Sequence, residues 1–330
     1  GGRAFRSDKG SGTPFRFQGG FPAMMYQVFL SILETFIVFG FGALAWKLRM
    51  IETGDLDKLS RLTLDMFFPM LTFSTITRTF DPNRLTELWV MPLLGIALML
   101  FGAGAGWVFK RLMKSKGHGR EGTFHHICAI NNYVFLPIIV LQNIYGERHV
   151  ALLLLMNVGS TIGFWTIGVL TLTGGGSLSK TMKSIFSINV AAVAAALLVS
   201  FLHIPLPEAL NYTFQYLGNI TVPLMLVVIG VALVGCFRGM LENWYDMLLL
   251  SVVRLVLIPV ALLLLLRLLP LPEEAYQVAA VVALMPAASS SVLIAKRYGG
   301  DPDFAGRAII LTTLFSLGTI PFLMALFLPA

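Results

Sequence analysis

Hydrophobic positions in this chain fall in long blocks, not in the two-residue alternation of a barrel strand. The stretch from Leu248 to Leu269 is typical, and its main interruptions are Arg254, Pro259 and Arg267. Roughly 20 apolar residues match one helical crossing of a bilayer, and a helix satisfies its own backbone groups there. Ten blocks predict ten spanning helices, near 27–48, 61–79, 89–112, 124–145, 150–171, 182–203, 213–236, 244–269, 275–297 and 306–328. The expected fold class is an all-α integral membrane protein.

Inside the blocks the pattern breaks at two similar places. NNYVFLPIIV, Asn131 to Val140, puts two amides and Pro137 in the fourth block. MPAASSS, Met285 to Ser291, puts Pro286 and three serines in the ninth. These belong to a longer correspondence between the two halves. FFPMLTF around Pro69 matches TVPLMLV around Pro223 at an offset of 154 residues. VFLPII matches ALMPAA at 149, and IYGERH matches RYGGDP at 153. Each half carries five spans, an odd number, so the second copy enters the bilayer inverted, an arrangement common in secondary transporters. The organisation expected is a tail at 1–25, a first repeat at 26–171, a short cytoplasmic linker at 172–181 and a second repeat at 182–330. The tail is rich in Gly, Ser and Arg, lacks periodicity, and reads as disordered or as an appended remnant.

Composition agrees with the pattern. Charged residues make up 12% of the chain and hydrophobic residues 56%, where a soluble domain carries about twice that charged fraction. The net charge of +7 therefore bears on topology, and nucleic acid is not an expected partner. Alternate loops hold most of the Lys and Arg outside the tail, Lys110, Arg111, Lys114, Lys116 and Arg120 among them, and the opposite loops hold only Arg78, Arg84, Arg148 and Arg267. The basic side is predicted to be cytoplasmic and both termini to lie outside, a topology that suits a bacterial inner membrane. Cys128 and Cys236 are expected as free thiols.

Proline removes an amide donor and clashes with the preceding turn, so the fourth and ninth helices are predicted to break at Pro137 and Pro286 and to cross there. The half-helices that follow, from Ile138 and from Ala287, start with unpaired N–H groups and a partial positive charge. Two such ends, with the amides of Asn131 and Asn132 and the hydroxyls of Ser289, Ser290 and Ser291, make an anion site with no formal cation. A small carboxylate suits it. Asn157 and its approximate repeat equivalents, Thr312 and Thr313, either line the same path or bridge helices. Prolines and amides also serve as plain interhelical glue; the doubling of the motif favours a binding role.

Intramembrane charges are functional candidates by default. Asp65, four residues before Pro69, and Arg254 are expected to pair, or Asp65 carries a coupling proton and Arg254 lends charge to the substrate. Glu34 reads as structural. His125 and His126 are adjacent, so they point to different helix faces, and no carboxylate or Cys cluster completes a metal site. No metal, cofactor or nucleophile–base pair is predicted, no phosphate-binding loop is present, and the chain does not read as an enzyme.

NNYVFLPIIVLQNIYG, MPAASSSVLIAKRYGGDPDFAGRAIILTTLFSLGTIPF and LGNITVPLMLVVIGVAL resemble the fourth, the ninth with tenth, and the seventh spans of the auxin efflux carrier family. The resemblance runs from about Tyr26 to the C-terminus. It implies a scaffold (spans 1, 2, 6 and 7), a transport body (spans 3–5 and 8–10) that moves by an elevator step, and a homodimer. Phe135 and Leu136 stand where many members carry a small, Gly-rich approach to the proline. The short TLTGGGSLSKTMK connection resembles bacterial organic-acid permeases, not plant members. The function expected is secondary transport of mono- or dicarboxylates, with proton coupling as one source of energy. Two rivals stand beside it: a sodium-coupled symporter of the related bile-acid-carrier fold, which needs carboxylates beside the prolines, and a non-transporting sensor.

Overall fold

A computed structural model describes residues 21–81, 87–174, 188–234 and 242–328. Among them the chain is helical throughout, apart from turns and a single isolated backbone bridge. In chain order the helices are α1 (Phe21–Lys47), α2 (Leu56–Leu62), α3 (Phe68–Thr79), α4 (Glu87–Phe109), α5 (His118–Ala129), α6 (Phe135–Ile144), α7 (Glu147–Gly163), α8 (Val169–Thr173) and α9 (Ile188–Phe201). There follow α10 (Glu208–Gly218), α11 (Thr221–Val234), α12 (Trp244–Val252), α13 (Ile258–Arg267), α14 (Glu273–Ala283), α15 (Ser291–Arg297) and α16 (Pro302–Phe327). Among the described residues six helical runs are long and apolar enough to cross a membrane: Met25–Lys47, Trp89–Leu112, Glu147–Thr173, Glu208–Val234, Trp244–Arg267 and Pro302–Phe327.

Three of the joins are single π turns: Thr63–Phe67 between α2 and α3, Phe164–Gly168 between α7 and α8, and Val253–Leu257 between α12 and α13. The first and third come just before Pro69 and Pro259. A proline offers no N–H to the carbonyl four residues back, and its ring presses on that carbonyl. The helix widens by one residue there and continues. The second π turn has no proline, and nothing in the structure explains it.

Helix α4 packs on α5 and α7, α1 on α11 and α16, and α9 and α10 on α3. The α1–α11 contact is a backbone approach that only small residues permit: a Cβ on Gly42 would strike the Val227 carbonyl, and one on Gly230 would strike the Phe39 carbonyl. Apolar side chains such as Trp89, Leu93, Leu100 and Leu264 are exposed on the outer faces, as lipid contact requires.

Polar ties hold the helix ends. Asp246, almost fully buried, accepts from the backbone N–H groups of Lys114 (2.8 Å) and Ser115 (2.9 Å). Asp301 caps α16 through the Phe304 N–H (2.9 Å) and pairs with Arg120 of α5 at 2.9 Å. Burial pushes its carboxyl upward, but the Phe304 N–H and Arg120 outweigh that and hold it below the usual 3.8. Gly146 and Gly299 follow α6 and α15 with φ of +86° and +77°, backbone that glycine adopts without a Cβ penalty.

Helix α1 begins at Phe21, inside the stretch expected to be tail; residues 1–20 lie outside the described ones, as do 175–187, which hold most of the expected linker, and Cys236. Cys128 is a free, buried thiol.

Candidate functional site

The fourth and ninth blocks are both interrupted, the fourth before its proline and the ninth across it. The first break covers 130–134, between α5 and α6, and Pro137 sits in the first turn of α6. A proline is at home there, because that N–H has no intrahelical partner anyway. The second break covers 284–290 and contains Pro286, and α15 starts only at Ser291, four residues later than Ala287. The expected contact between the two prolines is replaced by one between Asn131–Asn132 and Pro286–Ala287. Asn131 and Ala287 form an antiparallel backbone bridge, and the Asn132 N–H donates to the Pro286 carbonyl at 2.8 Å.

Backbone groups freed by the breaks find partners. The Asn131 side chain donates to the Val282 carbonyl. The Ala287 N–H donates to Thr312 Oγ1 at 3.3 Å, and Thr312 in turn donates to the Ala308 carbonyl at 2.7 Å. Thr312 therefore ties the second break to α16. Arg254, in the third π turn, donates to the carbonyls of Cys128 (3.1 Å), Ala283 (3.3 Å) and Met285 (3.0 and 3.1 Å).

Beside this junction lies a cavity of about 350 Å³. Asn131, Asn132, Asn157, Ser289 and Ser290 line it, as five of the eight substrate-binding candidates. Pro137 and Ser291 are buried behind it, and Pro286 contributes its carbonyl to the junction. Asn157 is 4% exposed, and its Oδ1 has no hydrogen-bond partner. Buried amide groups are nearly always paired, and this oxygen is an exception. The start of α6 also faces the cavity through Val134 and Phe135; it has ten residues, whereas α15 has seven.

Asp65 and Arg254 do not meet. Asp65 is exposed at the cavity edge and lies 3.9 Å from Arg61, one turn back on its own helix, while Arg254 is 2% exposed and bonded to carbonyls. The expected pair fails because a helical block without an amphipathic stripe does not reveal which face a polar residue occupies. His125 and His126 turn to different neighbours, the Ala103 and Gly168 carbonyls, each at 2.8 Å.

Several lining residues are absent from the expected set: Tyr133, Thr161, Phe164, Trp165, Asn189 and Phe68. Tyr133, Phe164 and Trp165 make successive edge-to-face contacts at 6.2 and 5.2 Å between ring centres. Phe164 and Trp165 belong to the π turn without a proline, so no sequence signal marked them. Asn189 accepts from Thr72 Oγ1 at 2.6 Å, and its position at the start of an apolar block was the one clue to it. A second cavity, of about 410 Å³, lies elsewhere between the helices and is lined by Glu34, Arg78, Gln142, Asn143 and Glu147 among others.

The profile of the membrane transport protein family, the auxin efflux carriers, matches residues 27–187 and 176–324. The chain belongs to this family. An uncharacterized transporter of Methanothermobacter thermautotrophicus is 23% identical over 295 residues, which is 88% of this chain and 95% of that protein. An uncharacterized transporter of Methanocaldococcus jannaschii is 23% identical over 273 residues, 78% of this chain and 85% of the relative. Protein PIN-LIKES 1 of Arabidopsis thaliana is 26% identical over 91 residues, 28% of this chain and 19% of its own. An auxin efflux carrier family member with these relatives is a membrane transporter.

Proposed function

We propose that this auxin efflux carrier family member is a secondary transporter of small organic anions, mono- or dicarboxylates with auxin-like acids included, and that the anion binds in the cavity beside the two helix breaks. The observation that carries the reading is that the amides of Asn131, Asn132 and Asn157, the hydroxyls of Ser289 and Ser290 and the start of α6 all line one cavity. Amide and hydroxyl donors, with the positive end of α6, hold a carboxylate without an ammonium that would keep it.

The two broken helices, the 56–79 and 188–201 segments and the six long runs support ten spans in two inverted sets of five. The π turn before Pro69 and the interruption between α10 and α11 before Pro223 fall at matching points of the two sets. Alternating access is by an elevator step of spans 3–5 and 8–10 against a dimeric scaffold of spans 1, 2, 6 and 7. The membrane is a bacterial inner membrane, with both termini outside. An inside-negative potential drives an anion outward by about 2.3 kcal/mol per 100 mV, so export needs no coupling ion and import draws on protons.

The test is thermal stabilisation of the purified protein by a panel of carboxylates at pH 5.5 and 7.5, with and without sodium, repeated in Asn132→Ala. Stabilisation by one carboxylate that is lost in the variant is expected. Stabilisation by none of them, or an equal effect in Asn132→Ala, overturns the reading, and a strict sodium requirement moves it to a sodium-coupled symporter.

A further inference from the structure

Arg254 is a buried cation that contacts no carboxylate. It is 2% exposed, and no acidic group pairs with it among the described residues. A charge in such a place is costly unless something compensates it. Here the compensation is backbone carbonyls at two helix ends. Cys128 lies in the last turn of α5, Ala283 is the last residue of α14, and Met285 lies in the break that follows. The carbonyls at the end of a helix have no intrahelical donor and carry its partial negative charge. One guanidinium, a planar fork with several donors, joins the ends of both interrupted helices at 3.0 to 3.3 Å.

Its position follows from the chain. Pro259 forces the π turn Val253–Leu257, and Arg254 is in that turn, where the widened helix redirects it inward. The residues it fixes stand next to those of the cavity: Cys128 is three positions before Asn131, and Met285 is four before Ser289. At this junction the negative ends of α5 and α14 are neutralised from behind, while the start of α6 and the amides of Asn131 and Asn132 face the cavity. Arg254 itself does not line the cavity.

Resting on the anion-binding reading above, we propose that Arg254 is a positioning residue that sets anion preference: it braces both helix breaks and, by cancelling the negative helix ends, leaves the cavity at a positive potential without entering it. The charge acts on the anion through space, and the fork holds the geometry. A brace alone would affect charged and neutral ligands alike; a charge separates them.

The experiment measures binding of matched pairs, indole-3-acetate with indole-3-acetamide and lactate with lactamide, to wild type, Arg254→Gln and Arg254→Lys. In wild type the carboxylate of at least one pair is expected to bind more tightly than its amide. In Arg254→Gln that preference falls by about tenfold, the size of one charge acting through a partly dry interior, on top of any loss that the missing brace imposes on carboxylate and amide alike. In Arg254→Lys the preference stays within about threefold of wild type even if the protein is less stable, because a charge remains where the fork is lost. An unchanged preference in Arg254→Gln, or a preference lost in Arg254→Lys, overturns the proposal; should the Gln variant not fold, Arg254→Met, which keeps an apolar stem without the charge, is read in its place. If wild type binds no carboxylate over its amide, the anion-site reading fails first, and the two failures are thereby distinguished.

Discussion

Asn157 gives the sharpest separation of stability from function. Its side chain is 4% exposed, its Oδ1 has no partner, and it lies on the cavity wall. A buried polar group without a partner costs about 1–3 kcal/mol, and that cost is borne by the empty protein whichever way the amide is turned. Replacing it by leucine, nearly the same shape and a better helix former, removes the cost. Asn157→Leu is therefore expected to melt at or above the wild-type temperature in detergent. The ligand contact is lost with the amide, and the same 1–3 kcal/mol corresponds to roughly 5- to 150-fold weaker binding. The assay pairs thermal melting without ligand with carboxylate uptake into proteoliposomes. A variant that melts well below wild type yet takes up carboxylate at the wild-type rate would refute the reasoning, because Asn157 would then be structural.

Asn131→Ala should behave in the opposite way. It strips the donor from the Val282 carbonyl and costs about 1–3 kcal/mol of stability, read as a lower melting temperature before any ligand is added. Gly230→Ala drives a Cβ into the Phe39 carbonyl; backbone cannot yield as a side chain does, so a loss of at least 1–3 kcal/mol is expected in the same melt. The carboxyl of Asp301 is held below 3.8 by the Phe304 N–H and Arg120 against the upward push of burial. Its stabilisation is thus present above the unfolded value and lost as pH falls through the lower folded value; Asp301→Asn should flatten the acid limb of melting temperature against pH below about 3.8. Asp65→Asn removes only an exposed pair 3.9 Å long and should shift stability by less than about 1 kcal/mol. Its uptake profile against pH tests the proton-carrier role, which an unchanged profile would rule out.

How far the chain could be read in advance depended on the kind of signal each residue carried. Block length is a one-dimensional property, so the long apolar runs were legible, and so were the two interrupted segments, because Asn, Pro and Ser inside such a block have few innocent explanations. The repeat of tyrosine and glycine after each interruption coincides with the two positions, Gly146 and Gly299, where the backbone takes positive φ. Facing was not legible. A helix apolar on every side has no moment to orient it, so Phe164, Trp165 and Thr161 could not be told from lipid-facing neighbours, and the shared polarity of Asp65 and Arg254 suggested a pair that geometry does not make. Break position fails at one proline for a different reason: Pro286 lies inside the second break, whereas Pro137 is tolerated inside the first turn of α6, and the strand-like bridge of Asn131 with Ala287 sets where the chain opens. The π turns join these two failures. Two of them are encoded by Pro69 and Pro259, and a single added residue rotates everything upstream on the helix relative to everything downstream. The face presented by Arg254 is therefore decided by Pro259, five residues later in the chain. If so, Pro259→Ala should restore regular α-helix, turn Arg254 away from the Cys128 and Met285 carbonyls, and reproduce the loss of anion preference seen in Arg254→Gln although the arginine is still present. Wild-type preference in Pro259→Ala would mean that the guanidinium reaches its carbonyls without help from the widened turn.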